Sequence, residues 1–426
     1  MSACVVTGVG IVSPLATGAG RHFDLWLEGR SAVAAAEEPE FAKYTPQLEA
    51  RVGDFDRRAT ISSRMLRKLL PRSAGFAVGA AGEALADAGL GEEPAARARA
   101  GLYIGSLSLE IDPEVFIPPL RASLTREGEF DLSLFARRGM KLLDPLFLVR
   151  ALPNAAICGI SLEHQVLGPN TNITNGASSG LTAVSLAAAA IERGEVECAV
   201  AGGYDSLLVM DAIAEHLIAG RLARNGASPG RACRPFDRDR GGYAVGEGAA
   251  FVVLESAEHA ASRGVAPYGS LLGRAWTTDP ALVGDGDRYD GTALEQAARL
   301  ALAQAGVRGA DELGAIFGDG LATEVDDVRE ASVVAALLDG AAVPLTASTG
   351  AIGYTGAASG VFSLAHALLS LRRGIAPPLP NCEEPDPRCP VHRLTKPEPL
   401  GRDAVLVWNS ERGIKNVAVV VGSSSR

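Results

Sequence analysis

Six cysteines and six histidines are the side chains of this 426-residue sequence that could act as nucleophiles, general bases or soft metal ligands. Their places in the chain limit what they can do. Cys158 and Cys198 lie in apolar stretches, and Cys233 adjoins Arg234-Pro235-Phe236-Asp237, settings that favour a small core side chain over a reactive thiol. Cys382, Cys389 and His392 form C-x6-C-x2-H in a proline-rich loop, a spacing outside the usual zinc patterns, so neither a metal nor another cofactor is expected. His22, His164, His216, His259, His366 and His392 are expected to pack in the core or face solvent. Four cations, Arg64, Arg67, Lys68 and Arg72, fall at i, i+3, i+4 and i+8. If that stretch is one helix they share a face, either an ordinary solvated one or a docking patch for an acidic partner.

The elements that must position such groups announce themselves through an internal repeat. Residues 176–194, GASSGLTAVSLAAAAIERG, recur at an offset of 180 as GAASGVFSLAHALLSLRRG in 356–374, with seven of nineteen positions identical. Each copy is a glycine-rich turn entering an Ala/Leu helix that stops at Gly194 or Gly374, suitable residues for a left-handed C-terminal cap. Apolar strands ending on glycine precede both copies, at 102–105 and 315–318. Short β-branched runs alternating with Ala/Leu-rich stretches indicate an α/β protein whose strands are buried on both faces. Two related halves are expected, 1–258 and 259–426. Only the first carries the insertion 106–147, which reads as a loop-rich segment too apolar to face water, and so as a cover for its own core or for a partner.

Composition removes other classes. The net charge of −10 argues against nucleic-acid or anionic-membrane binding. The longest apolar run, near 181–191, falls short of a membrane span, and the first residues read as a strand rather than a secretion signal, so a cytoplasmic location is expected.

Several blocks carry a family resemblance across essentially the whole chain: Val5-Val6-Thr7-Gly8-Val9-Gly10, TNITNGASSGL at 171–181, AVAGGYD at 199–205, ACRPFDRDRGGYAVGEGAAFVVLE at 232–255 and GYTGAASG at 353–360. Together they resemble a β-ketoacyl synthase. The resemblance implies the thiolase-like fold, a five-layered αβαβα sandwich of two pseudo-duplicated halves. It also implies a cysteine nucleophile at the entrance of a helix, two histidines and a lysine for decarboxylative condensation. Every one of those positions has a place here and another residue in it. Ala177 stands where the cysteine belongs in Gly176-Ala177-Ser178-Ser179. Counting back from Asp327 and Glu330 puts Asp319 at the first histidine. Tyr354 takes the second histidine and Thr349 the lysine. The glycine-rich gate near the C-terminus retains Asn409-Ser410 and then reads Glu411-Arg412-Gly413 in place of its phenylalanines.

This pattern resembles the chain-length factor, or ketosynthase β subunit, of a bacterial type II polyketide synthase. That resemblance implies a non-catalytic subunit paired with an active ketosynthase α subunit, an interface tunnel that accommodates the growing polyketide, and transient visits by an acyl carrier protein. Leu107, Leu109, Phe116 and Phe135 of the insertion are the expected tunnel wall, and Arg64, Arg67, Lys68 and Arg72 the expected carrier-protein contacts. Alanine at 177, where aromatic-polyketide members commonly have glutamine, leaves a reducing, polyene-forming system open. Two other readings stand beside it: an active 3-oxoacyl-[acyl-carrier-protein] synthase with an atypical site, and a homodimeric acyl-binding scaffold.

Overall fold

The computed structural model describes residues 3–36, 48–91, 94–107, 113–224, 228–279, 290–411 and 414–423. Ten strands form its backbone: β1 (Cys4–Val12), β2 (Gly101–Gly105), β3 (Asn170–Ile173), β4 (Cys198–Ser206), β5 (Val245–Ser256), β6 (Gly269–Thr278), β7 (Leu313–Phe317), β8 (Leu345–Thr346), β9 (Ala404–Glu411) and β10 (Lys415–Gly422). They run in the order β8-β7-β9-β10-β6-β1-β5-β4-β2-β3. Each half repeats one plan. β4-β2-β3 and β9-β7-β8 are parallel sets, and β1, β5, β6 and β10 join them antiparallel. A short ladder, Val5 with Ser270 and Val6 with Gly269, links the two halves edge to edge.

Six helices build the layers: α1 (Arg72–Asp87), α2 (Ala155–His164), α3 (Ser179–Glu192), α4 (Thr292–Gln304), α5 (Glu324–Leu338) and α6 (Ser359–Arg373). The period-two alternation of the strands assigns each face. In β5, Ala250, Val252 and Leu254 pack with α3 and α6, whereas Ala249, Phe251 and Val253 pack with α1 and α2. In β9, Val405 and Val407 join the same central core, while Ala404, Leu406 and Trp408 face α4 and α5. The order α1/α2, first sheet, α3/α6, second sheet, α4/α5 is the expected five-layered sandwich. The repeated turn-and-helix therefore supplies the two central helices. They approach closely enough that a Cβ on Gly180 would lie 2.4 Å from the Ala357 carbonyl oxygen, while one on Gly360 would lie 2.8 Å from the Asn409 Cβ and 3.1 Å from that of Leu181. Gly194 and Gly374 adopt the left-handed conformation expected of them, at φ 71° and 67°. Among the described residues no helix is long and apolar enough to cross a membrane.

Two expectations need correction. The insertion is largely helical in its described part, with helices Pro113–Arg121 and Leu132–Arg137, a 3-10 turn at Gly139–Lys141, and helix Phe147–Ala151 beyond it. Asp131 starts the second of these by accepting the Leu134 N–H. The cations do not share one helix. A short helix, Arg64–Leu69, ends before Leu70-Pro71, and Arg72 opens α1. Proline has no N–H to continue the first helix and biases Leu70 to an extended conformation.

Candidate functional site

The site forms where β3, β7 and β9 end. β3 turns at Gly176, φ 72°, and delivers Ala177 to the entrance of α3 with its side chain fully buried. Ala177 belongs to an apolar cluster with Tyr243, Tyr354 and Leu207, and Leu107 packs against that cluster. A methyl group there offers no nucleophile.

Asp319 follows β7, on the segment capped by Glu330. The Glu330 carboxylate accepts the Asp319 N–H at 2.8 Å, the Gly320 N–H at 2.9 Å and the Trp408 indole N–H at 2.7 Å, so the buried glutamate shapes the turn. Asp319 itself accepts from the Asn409 amide at 2.5 Å and from the Ser410 N–H at 2.9 Å, one bond to each carboxylate oxygen. Burial and the nearby Glu330 carboxylate push the Asp319 carboxyl well above its usual range. Neither protonation state performs the task of a histidine at this place. The anion would repel a developing enolate, and the neutral acid is held by β9. The Thr349 hydroxyl donates to the Asp319 carbonyl at 2.8 Å, an uncharged tie at the position where the resemblance implies a lysine.

Tyr354 lies between Thr349 and α6. Its N–H donates to the Ala244 carbonyl at 2.9 Å and its carbonyl accepts the Gly246 N–H at 2.8 Å. Its ring lies 4.8 Å from Tyr243 and 5.7 Å from His216. His216 is 2.8 Å from the Tyr243 hydroxyl, and burial lowers its imidazole to about 4, so it is neutral at physiological pH. The spacing of His216 gave no hint of this neighbourhood, because the contact joins residues 138 positions apart. Burial also pushes the Tyr354 hydroxyl well above its ordinary range.

The residue that spacing undervalued is Glu411. Its Oε2 accepts the Ala177 N–H at 2.5 Å. Burial raises its carboxyl, while that bond and the nearby Arg221 and Lys415 pull it back. A path of contacts thus joins the four positions singled out by the resemblance: Thr349 to Asp319, Asp319 to Asn409 and Ser410, then Glu411 to Ala177, with Tyr354 in the same cluster as Ala177. The visible signal was a glutamate in place of an aromatic gate residue.

The other candidates separate. Phe116 stacks on Phe147 with ring centroids 5.3 Å apart, and Phe135 lies 5.9 Å from Phe130, so both pack within the insertion. Leu109 lies outside the described residues. Arg64, Arg67 and Lys68 join Arg57 and Arg58 around an open cavity of about 580 Å³. Arg72 is not among them. Its guanidinium reaches the fully buried Glu247 at 2.8 Å and the Val52 carbonyl at 2.7 Å, and Glu247 also accepts the Val52 N–H and the Ser206 hydroxyl. Of the cysteines, Cys158 is exposed, against expectation, whereas burial pushes Cys4 and Cys233 up to about 12 and leaves their thiols protonated. His22 and His366 form a buried pair, Nε2 to Nε2 at 2.7 Å, inside the core.

Residues 1–260 match the family model for the β-ketoacyl synthase N-terminal domain, and residues 268–383 match the model for its C-terminal domain. The chain is similar to the 3-oxoacyl-[acyl-carrier-protein] synthase 2 of Rhizobium meliloti, 30% identical over 395 residues that cover 90% of each protein. It is also similar to the tetracenomycin polyketide synthase ketoacyl synthase alpha subunit of Streptomyces glaucescens, 30% identical over 90% of this chain and 88% of that one. Among solved structures, the ishigamide ketosynthase/chain length factor shares the fold with a TM-score of 0.85 at 24% identity, covering 99% of both chains.

Proposed function

This chain belongs to the β-ketoacyl synthase family, and within that family we propose that it is a non-condensing subunit that pairs with an active ketosynthase and sets the length of the polyketide made by the pair. The observation that carries the reading is Ala177 at the entrance of α3, with Glu411 seated on its amide where an acyl group would have to lie. The partner would supply the nucleophile and the decarboxylating groups.

Two features support the pairing. The insertion and the residues following it expose the apolar side chains Leu124, Phe130, Leu132, Met140, Leu142, Leu146, Val149 and Leu152. An apolar surface of that kind is a liability on a free chain and an asset beneath a partner subunit. The solved neighbour described as a ketosynthase/chain length factor has the same architecture. In this reading the wall of the tunnel sets length sterically. A side chain that intrudes on the growing chain imposes overpacking of about 1–3 kcal/mol, enough to disfavour another extension. Leu107, packed against the Ala177 cluster, is the first candidate for that wall, with Phe116 and Phe135 farther along the insertion. The cavity lined by Arg57, Arg58, Arg64, Arg67 and Lys68 suits the acidic surface of a carrier protein.

Co-expression with the active ketosynthase of the same biosynthetic system, followed by gel filtration and product analysis, tests this. The expected result is a one-to-one complex whose product changes length when this subunit is exchanged. A stable homodimer that ignores the ketosynthase, or stoichiometric acylation of a cysteine of this chain alone, overturns it.

A further inference from the structure

The turn at Ala177 keeps an amide suited to an anion, and the chain's own carboxylate already holds it. The fourteen-residue α3 begins two residues later, so the N–H groups at this entrance carry the positive end of a helix dipole. The Ala177 N–H donates to Glu411 Oε2 at 2.5 Å. A Cβ on Gly176 would fall 2.4 Å from the same carboxyl group, so Glu411 lies directly against the backbone of the turn. Its own position is fixed. It closes β9, whose Asn409 and Ser410 are bonded to Asp319, and it pairs across the hairpin with Lys415.

We propose that Glu411 is a second lock on this site, independent of the missing cysteine: it occupies the amide that would otherwise receive the oxyanion of an acyl thioester, so a thiol restored at position 177 does not accept an acyl group while Glu411 is present. The proposal rests on reading position 177 as the emptied nucleophile position. Two physical effects act together. A carboxylate beside the thiol disfavours the thiolate, and each pKa unit of such a shift changes the thiolate fraction roughly tenfold near neutral pH. Acyl transfer also needs the amide. The thiolate attacks the thioester carbonyl carbon, the carbonyl electron pair moves onto oxygen, and that oxyanion needs a donor until it collapses, the old carbon–sulfur bond breaks and the donor leaves as a thiolate that takes a proton from water. With Glu411 on the amide, that donor is engaged and the glutamate carboxyl group stands where the oxyanion would form.

The test compares the full chain carrying Ala177→Cys with the double variants Ala177→Cys/Glu411→Gln and Ala177→Cys/Glu411→Ala, all in a Cys158→Ser background that removes the exposed thiol. Glutamine keeps the volume and loses the charge; alanine loses both. Iodoacetamide labelling at pH 7.5 and incubation with octanoyl-N-acetylcysteamine are read by intact mass, with thermal melting to show that each variant is folded. The expected result is alkylation at least tenfold faster in both double variants than in Ala177→Cys, and an octanoyl adduct on the Glu411→Ala double variant only or on both. Equal alkylation rates with and without Glu411, or an octanoyl adduct on Ala177→Cys itself, overturns the proposal. The thiol comparison requires no ketosynthase, so it fails or succeeds separately from the chain-length reading.

Discussion

Arg72 and Lys68 both belong to the expected docking patch, yet Arg72 is bonded to the buried Glu247 whereas Lys68 lines an open cavity, and alanine substitutions separate the two. Arg72 makes four hydrogen bonds to Glu247 and the Val52 carbonyl, at 2.7–3.1 Å. Glu247 is fully buried, whereas the Arg72 side chain is 48% exposed. Removing one partner of a buried ion pair costs about 3–5 kcal/mol. Here Glu247 keeps the Val52 N–H and the Ser206 hydroxyl, and water can enter where the arginine was, so Arg72→Ala is expected to cost about 2 kcal/mol. Glu247→Ala instead orphans those two buried donors and should cost about 4 kcal/mol. For a chain of this length each kcal/mol lowers Tm by about 1 °C. Lys68→Ala and Arg64→Ala should change stability by no more than about 0.5 kcal/mol. Carrier-protein affinity, measured by titration at low salt, should fall a few-fold for Arg64→Ala and Lys68→Ala and stay unchanged for Arg72→Ala. Urea unfolding and thermal melting of the four variants supply the stability arm. An Arg72→Ala protein with unaltered melting that loses carrier binding as Lys68→Ala does would refute this assignment.

Three further outcomes follow from the same contacts. Leu132→Glu/Leu142→Glu places two charges on side chains that are 72% and 55% exposed, so it should abolish co-elution with the ketosynthase while leaving the melting of the free chain within about 1 °C; retained co-elution would remove the insertion from the interface. Leu107→Trp should shorten the product of the pair by at least one extension, read by mass spectrometry, and an unchanged length would place the wall elsewhere. His22 is held neutral between Ser13 and His366, with burial lowering its imidazole to about 3. Below the ordinary histidine pKa the unfolded chain therefore binds a proton that the folded one refuses. The stability present above about pH 6.5 is lost as pH falls toward 3, by about 2 kcal/mol at pH 5 for this group. His22→Gln should be less stable at pH 7 but lose less stability between pH 7 and 5 in urea titrations; an equal loss in both proteins would show that His22 does not contribute to the acid sensitivity.

Much of the architecture was legible because it depends on local pattern. The 180-residue repeat identified α3 and α6, and the glycines at 180, 194 and 374 sit where only close helix approach or a left-handed cap explains them. The residue types at the motif positions, Ala177, Asp319, Thr349 and Tyr354, are equally legible, because a residue type is read directly from one stretch of chain. The cation patch was misread because i, i+3, i+4, i+8 spacing describes a helix only while the helix continues, and Pro71 ends it. Arg72 then turns inward to a glutamate 175 residues away. The insertion looked loop-rich because Pro118 and Pro119 weigh against a helix, yet both fall within the helix Pro113–Arg121.

By itself the amino-acid sequence determined the repeated turn-and-helix, the buried strands and the residue types at the motif positions, alanine at 177, aspartate at 319, tyrosine at 354 and threonine at 349, since each follows from residue type, periodicity or a motif read in one stretch of chain. The tertiary structure decided what contacts Ala177, Asp319 and Tyr354. That Glu411 meets the amide of Ala177, that Asp319 is held by Asn409 and Ser410, and that His216 backs Tyr354 through a shared aromatic cluster all join residues between 90 and 234 positions apart. Contacts of that separation are set by how the layers bring the end of β3, at one end of the strand order, to the ends of the neighbouring β7 and β9 at the other, and no local spacing encodes them.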